Sequence, residues 1–446
     1  MKEEQNTSVW TKYSVIIKLI LIGILALVLL IPASMIQAII HERESLNEEV
    51  IDDIYSKWAG NQQLQGPILT IPLVYEEEVN KEKVLVTRYY HILPEELNVS
   101  GNIEPEILER GIYEGVVYRS SLNITGSTRL IENFDKENLV GIKENAAFLT
   151  FGVSDLRGIE DEVKFKWDKT THPVQPGTSI AHLVAQGFQV PLRDFSFDTT
   201  KTIPFSIQLK LKGSHNLSFL PLGKTTSVNL QSTWQDPKFD GNFLPNTREV
   251  NEQGFRAQWK ILELNRNFPQ SWVQGNLASS LNESAFGVEL LSPMDDYQKS
   301  NRSTKYAIMT IGLTFMMFFL VEVLGKKNIH PLQYAMVGVA ICLFYILLIS
   351  ISEHTNFNFA YGISSLAIIT MICLYSISLL HRLKYVLILG LILIGSFGFL
   401  FVTINSQDYA LLLGSLGLFI ILGTTMYLTR NIDWYRISSN GEAVGT

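Results

Sequence analysis

The chain reads as a polytopic α-helical membrane protein of six transmembrane helices, with a large extracytoplasmic β-rich, sandwich-like domain inserted between helices 1 and 2. Three observations predict this: five closely spaced apolar runs in the last third, one apolar run near the N-terminus, and a long polar stretch between them that alternates with period two. That division makes the whole-chain net charge of −7 uninformative about partners.

Residues 1–14 form a short polar cytoplasmic N-terminus, in which Lys2 and Lys12 stand near Trp10 and Tyr13. Residues 15–40 form the first span, apolar apart from Lys18 and Gln37. A secretory signal is the rival reading, because Lys12 and Lys18 precede an apolar core and Pro32-Ala33-Ser34 resembles a cleavage region. The apolar character resumes through Met35, Ile36 and Ala38–Ile40, so the run far exceeds the roughly 7–15 residues of a signal core and reads as an uncleaved helix.

Residues 41–303 form the extracytoplasmic domain. His41–Gln63 continues the helix out of the membrane. Ile68–Val74 then reads as a strand, and its Pro72 favours an edge position. Lys83–Leu93, Gly111–Ile124, Phe205–Leu211, Thr225–Thr233 and Gly254–Ile261 also read as strands, separated by turn residues such as Gly213, Pro221-Leu222-Gly223 and Asp240-Gly241. At this length two lobes are an option, with Thr171–Gly177 as the seam.

Residues 304–429 form a five-helix block with spans at 306–324, 332–351, 359–380, 385–404 and 409–428. Each is close to the roughly 20 residues that cross about 30 Å of hydrocarbon. Lysine and arginine placement sets the orientation. The inner loops carry Lys326, Lys327, Arg382 and Lys384, the tail 430–446 carries Arg430 and Arg436, and the outer turns carry Glu353 and Asp408 with no base. Both termini therefore face the cytoplasm.

The spans hold few groups a transporter would use. Glu322 is the sole carboxylate in the five C-terminal spans, and it reads as an interfacial residue paired with a neighbouring lysine, Lys326 or Lys327. Cys342 and Cys373, both inside spans, read as apolar packing residues. Among enzyme signatures, His41-Glu42-Arg43-Glu44 lacks the second histidine of a zinc-protease pair, and there is no nucleophile elbow, P-loop or dinucleotide glycine pattern. His91, His172, His182 and His215 are scattered singly, and Asp155-Leu156-Arg157 reads as a local ion pair or turn. No catalytic, cofactor-binding or metal residues are assigned, and no basic patch with interleaved aromatics points to nucleic acid. Arg302 and Lys305, at the outer entrance of the second span, together with Glu353, His354 and Asp408 are candidate charges for docking the outer domain on the helical rim.

Several blocks carry a resemblance: Arg110–Gly115 with Val117-Tyr118; Phe243–Val250 running into Gly254–Trp259; Asp296-Tyr297-Gln298 through Arg302–Ala307; His330–Tyr334; Ser352–Thr355; and Leu428–Tyr435. Together, in order over nearly the whole chain, they resemble the CreD family of bacterial inner-membrane proteins of cell-envelope integrity. The resemblance implies a bacterial inner membrane, an outward-facing domain and a role in envelope homeostasis and stress response; it supplies no established reaction, cofactor, ligand or catalytic residue, and no known small-molecule substrate. The expected partners are the lipid bilayer and envelope proteins or cell-wall components. The leading reading is a non-enzymatic protein whose outer domain senses, scaffolds or binds an envelope component; the alternatives are a transporter or flippase, and an unrecognised periplasmic enzyme.

Overall fold

The computed structural model describes residues 14–290, 296–325, 329–380, 382–406 and 409–430. It divides into a helical unit, Met1–Asn47 with Met294–Thr446, and a β-rich unit, Glu48–Pro293. The helices are α1 Ser14–Val28, α2 Leu30–Trp58, α3 Ala278–Glu283, α4 Asp296–Lys305, α5 Ala307–Gly325, α6 Pro331–Ser352, α7 Phe357–Leu380, α8 Leu383–Asn405 and α9 Ala410–Thr429.

By length and composition, four helical stretches can cross a membrane: Ile17–Trp58, α6, α7 and α8. The pair α4–α5, bent by 45° at its break, makes a fifth if it is one span, and α9 occupies the place of the last expected run. Outward-facing apolar side chains such as Leu366, Leu374, Leu387 and Leu391 are exposed, as a lipid-facing helix surface requires. Inside the block, α6 packs on α7, α7 on α8, and α1 on α5 and α6. Phe344 of α6 meets Tyr361 of α7 and Phe397 of α8 edge-on, with centroids 5.3 and 4.8 Å away. The start of α6 explains one sequence block. Pro331 takes the first helical position, where no N–H is needed, while His330 Nδ1 accepts the Leu332 N–H at 3.2 Å and Gln333 Oε1 accepts the His330 N–H at 2.8 Å.

The β-rich unit is two sheets over one core. The eight-stranded sheet runs, from edge to edge, Thr247–Asn251, Gly254–Leu262, Thr225–Ser232, Glu96–Arg110, Tyr113–Arg129, Thr202–Ser214, Lys164–Trp167 and Thr170–His172. The ten-stranded sheet is built on Gln62–Val79, which pairs with Asn216–Phe219, Glu82–Ile92, Leu139–Ile142 and Phe148–Val153. Leu97, Val99, Ile124, Ile207 and Val228 of the first sheet and Leu64, Phe151, Phe219 and Val288 of the second enter one buried cluster. A cavity of about 10 Å³ between the sheets, lined by Leu64, Leu97, Val99, Phe151 and Phe219, has room for one water at most.

Three local expectations change. The strand containing Pro72 is central, not at an edge. Pro72 pairs with Tyr89 on one side. On its other side it falls between two short partners, and its carbonyl accepts the Lys143 N–H at 3.0 Å. The missing N–H points toward that same gap, where no ladder bond is due. Second, Thr171–Gly177 does not separate two cores: Thr170–His172 pairs into the first sheet and Gln175–Pro176 into the second, so this stretch passes from one sheet to the other. Third, Glu96–Arg110, with Leu97, Val99 and Ile103 turned inward, is a full strand that sequence reasoning passed over.

One shared cluster predicts an autonomous unit. Residues 48–293 expressed alone should be soluble without detergent and give a β-dominated far-ultraviolet spectrum. A mostly helical spectrum, or a fragment soluble only in detergent, would contradict the fold.

Candidate functional site

The end of α2 is the best-built feature outside the two cores. Its last turns, from Glu48, belong to the β-rich unit and rest on the hairpin formed by Glu96–Arg110 and Tyr113–Arg129. Arg110 and Tyr113 close that hairpin around Gly111, whose φ of 67° suits glycine. Gly115 leaves room for the helix, since a Cβ there would stand 3.3 Å from Tyr55 and 3.4 Å from Ile54. Arg110 forms an ion pair with Asp53. The Tyr55 ring stacks on His215 at 6.4 Å. Trp58 lies between Arg119 and Lys212, at 4.8 and 4.9 Å from its ring.

The chain leaving α2 is fixed as firmly. Arg157 donates to Asp155 at 2.9 and 2.6 Å and to the Ser56 carbonyl at 2.6 Å. Asp155 also accepts the Gly60 N–H at 2.9 Å. These donors, Arg157 first, hold the Asp155 carboxyl down at about 2. The local ion pair expected of Asp155 and Arg157 thus also anchors the helix exit. The first sequence block, Arg110–Gly115, is explained as a helix platform.

In the helical unit, Glu322 of α5 is buried and fully engaged. It pairs with Lys18 of α1, accepts from Tyr334 Oη at 2.8 Å and accepts the Ile329 N–H at 3.1 Å. Its partner is therefore a lysine from the first helix; Lys326 and Lys327, expected beside it, lie outside the described residues. The sequence signal was two isolated charges in separate apolar runs, which a low-dielectric interior pairs. Cys342 and Cys373 are free thiols, Cys342 buried.

The candidate docking charges Arg302, Lys305, Glu353 and His354 all fall in the helical unit, and Asp408 lies outside the described residues. Glu353, just after α6, stands 3.7 Å from Nε of Arg43 in α2. Arg302 is half-buried and Lys305 exposed on α4; among the described residues no ion pair joins either to Glu353.

Of the histidines in the β-rich unit, His182 is exposed and His215 Nε2 lies 2.8 Å from Glu289. His91, one of the four histidines that the sequence shows scattered singly, is fully buried. Its Nδ1 shares a 3.0 Å hydrogen bond with Thr70, its ring lies 5.2 Å from Trp272 and 6.2 Å from His182, and Nε2 has no partner among the described residues. Burial, then the like charge of His182, lowers its pKa to about 3. Among the described residues no group of three or more His, Cys, Asp or Glu is placed to hold a metal ion.

Fold and site together define a multi-pass membrane protein with a large β-rich domain. A family model described as "Inner membrane protein CreD" matches residues 14–435. The Inner membrane protein CreD of Escherichia coli (strain K12) is 36% identical over 416 residues, 92% of each chain. The chain belongs to the CreD family of inner-membrane proteins. Among solved structures, an M1 zinc metallopeptidase from Deinococcus radiodurans aligns with a TM-score of 0.21 and 9% identity over 38% of this chain and 39% of its own, too little to bear on fold or chemistry.

Two outcomes follow. Glu322→Ala strips Lys18 and Tyr334 of their acceptor and should destabilise the detergent-solubilised protein by roughly 3–5 kcal/mol, read as a lower melting temperature. Adding Lys18→Ala should cost less than the sum of the single changes; strict additivity would show that the two charges do not interact. For His91, the unfolded chain takes a proton below about pH 6.5 that the fold resists down to about 3. Its contribution is full above 6.5 and declines as pH falls toward 3, by at most about 1.4 kcal/mol per pH unit. His91→Gln should flatten this acid slope in urea midpoints of the 48–293 fragment; an unchanged slope would contradict it.

Proposed function

We propose that this chain is a non-enzymatic inner-membrane protein of cell-envelope integrity, whose β-rich domain lies outside the cytoplasm, binds an envelope component and reports that binding through α2. Six spans return both termini to the cytoplasm in this reading. The observation that carries it is the placement of α2: one helix begins in the helical unit and ends clamped on the Glu96–Arg129 hairpin of the β-rich unit. A clamp of an ion pair, an arginine bond to the Ser56 carbonyl, a stacked ring pair and a tryptophan between two cations is far more than a tether needs. The full engagement of Glu322 by three donors favours a structural lock over a proton relay, and so favours this reading over transport. Arg302 and Lys305 are offered as further charges through which the domain docks on the helical rim.

The test is of sidedness. Cysteine at Asn98 or Gln235 should react with a membrane-impermeant thiol reagent added to intact spheroplasts, and cysteine at Asn328 should not. Equal labelling at all three positions would overturn the orientation.

A further inference from the structure

We propose that the outward face of the eight-stranded sheet binds an extended polysaccharide, rich in hydroxyls and bearing carboxylates; this rests on the reading above of an exported, component-binding domain. The register places three adjacent rows of side chains on that face. The middle row is Thr247, Gln258, Asn229, Ser100, Asn123, Gln208 and Lys164. One flanking row holds Lys260, Ser227, Asn98, Thr125, Ser206 and Lys166, and the other Arg256, Gln231, Asn102, Ser121 and Lys210, with Glu249 at its end. Along Thr225–Ser232, Gly254–Leu262 and Phe205–Leu211 buried residues alternate with the row residues, and every residue of the three rows is exposed or half-exposed.

The chemistry of these rows selects the occupant. Their interior is amide and hydroxyl throughout, groups that both donate and accept, as a polymer of hydroxyls requires. They carry no apolar or aromatic side chain, and so lack the anchor that a protein interface or a membrane surface uses. Bases are too few and too peripheral for a nucleic-acid groove, and Lys210 already pairs with Asp161 at 2.8 Å. Lys164 and Lys166 stand toward one margin and Arg256 and Lys260 toward the other. They match carboxylates carried along the polymer. Seven strands at about 4.8 Å spacing make a track about 29 Å wide, with a period close to the rise of one sugar in an extended pyranose chain. Without aromatic stacking each sugar is held weakly, so affinity depends on many units bound at once.

The experiment uses the detergent-solubilised full chain and sodium alginate, a linear uronic-acid polymer, with poly-glutamate as a polyanion lacking sugar hydroxyls. The wild type should bind alginate, and long chains at least ten-fold more tightly than trimers. The triple variant Asn123→Ala, Gln208→Ala, Asn229→Ala should lose at least ten-fold while its circular dichroism and melting temperature stay unchanged. Lys164→Ala with Lys260→Ala should weaken alginate binding several-fold. Equal binding of poly-glutamate, or loss from the lysine variant but not from the triple variant, would reduce the face to an ion exchanger and overturn the proposal. So would no alginate binding at all. Failure of the broader reading is separate: thiol labelling would then find the domain inside, whereas a domain labelled from outside with no affinity for alginate overturns this inference alone.

Discussion

The strand Gln62–Val79 is the constraint on which the β-rich unit depends. It starts four residues after α2 ends, takes partners on both edges and is buried on both faces through Ile68, Leu69, Thr70 and Ile71. A strand buried on both faces cannot slip by one residue without moving Thr70 and Gln65 from their hydrogen bonds with His91 and the Leu183 carbonyl. Register at the start of the domain therefore follows from the polar residues embedded in an apolar run. The exit of α2 is fixed with it, because Gln62 donates to the carbonyls of Asp155 and Lys212 at 3.0 and 2.9 Å.

The helical unit obeys a different rule. Between helices in hydrocarbon there is no hydrophobic drive to associate, so close packing and polar contacts decide which helix meets which. The aromatic cluster of Phe344, Tyr361 and Phe397 supplies the first, and the Tyr361 hydroxyl donates to the Phe397 carbonyl at 2.7 Å. The Lys18–Glu322–Tyr334 group supplies the second, and it joins α1 to the block although Lys18 and Glu322 stand 304 positions apart in sequence. Breaking this group exposes a charge to a medium that cannot solvate it, so its cost exceeds that of a surface pair.

Much of this was legible in the residues, for stated reasons. Apolar runs of membrane length and period-two alternation are local signals, and they located the membrane-length helices and six of the strands. Pairing partners are not local. Pro72 looked like an edge residue because sequence shows a missing N–H but not the gap it faces. Glu96–Arg110 was overlooked because Pro105 and its glutamates mask the alternation of Leu97, Val99 and Ile103. Glu322 was matched to the lysines nearest in sequence, when Lys18 is nearest in space. Glu353 was visible as an acid between two apolar runs, but its neighbour Arg43 lies in another helix. The hairpin platform was visible only as an unexplained run of Arg110–Gly115, and its meaning emerged once Asp53, Ile54 and Tyr55 stood over it.

The central claim is that α2 carries information between a binding domain and a helical block, and the most direct measurement interrupts it. Glu48→Pro places a break in the helix interior, at a cost of about 3 kcal/mol or more to the helix, at the start of the part that belongs to the β-rich unit. The account predicts a variant that reaches the membrane at normal levels and keeps a β-rich domain resistant to external protease, yet fails to restore envelope integrity in cells lacking the protein. Full restoration by that variant would contradict the account.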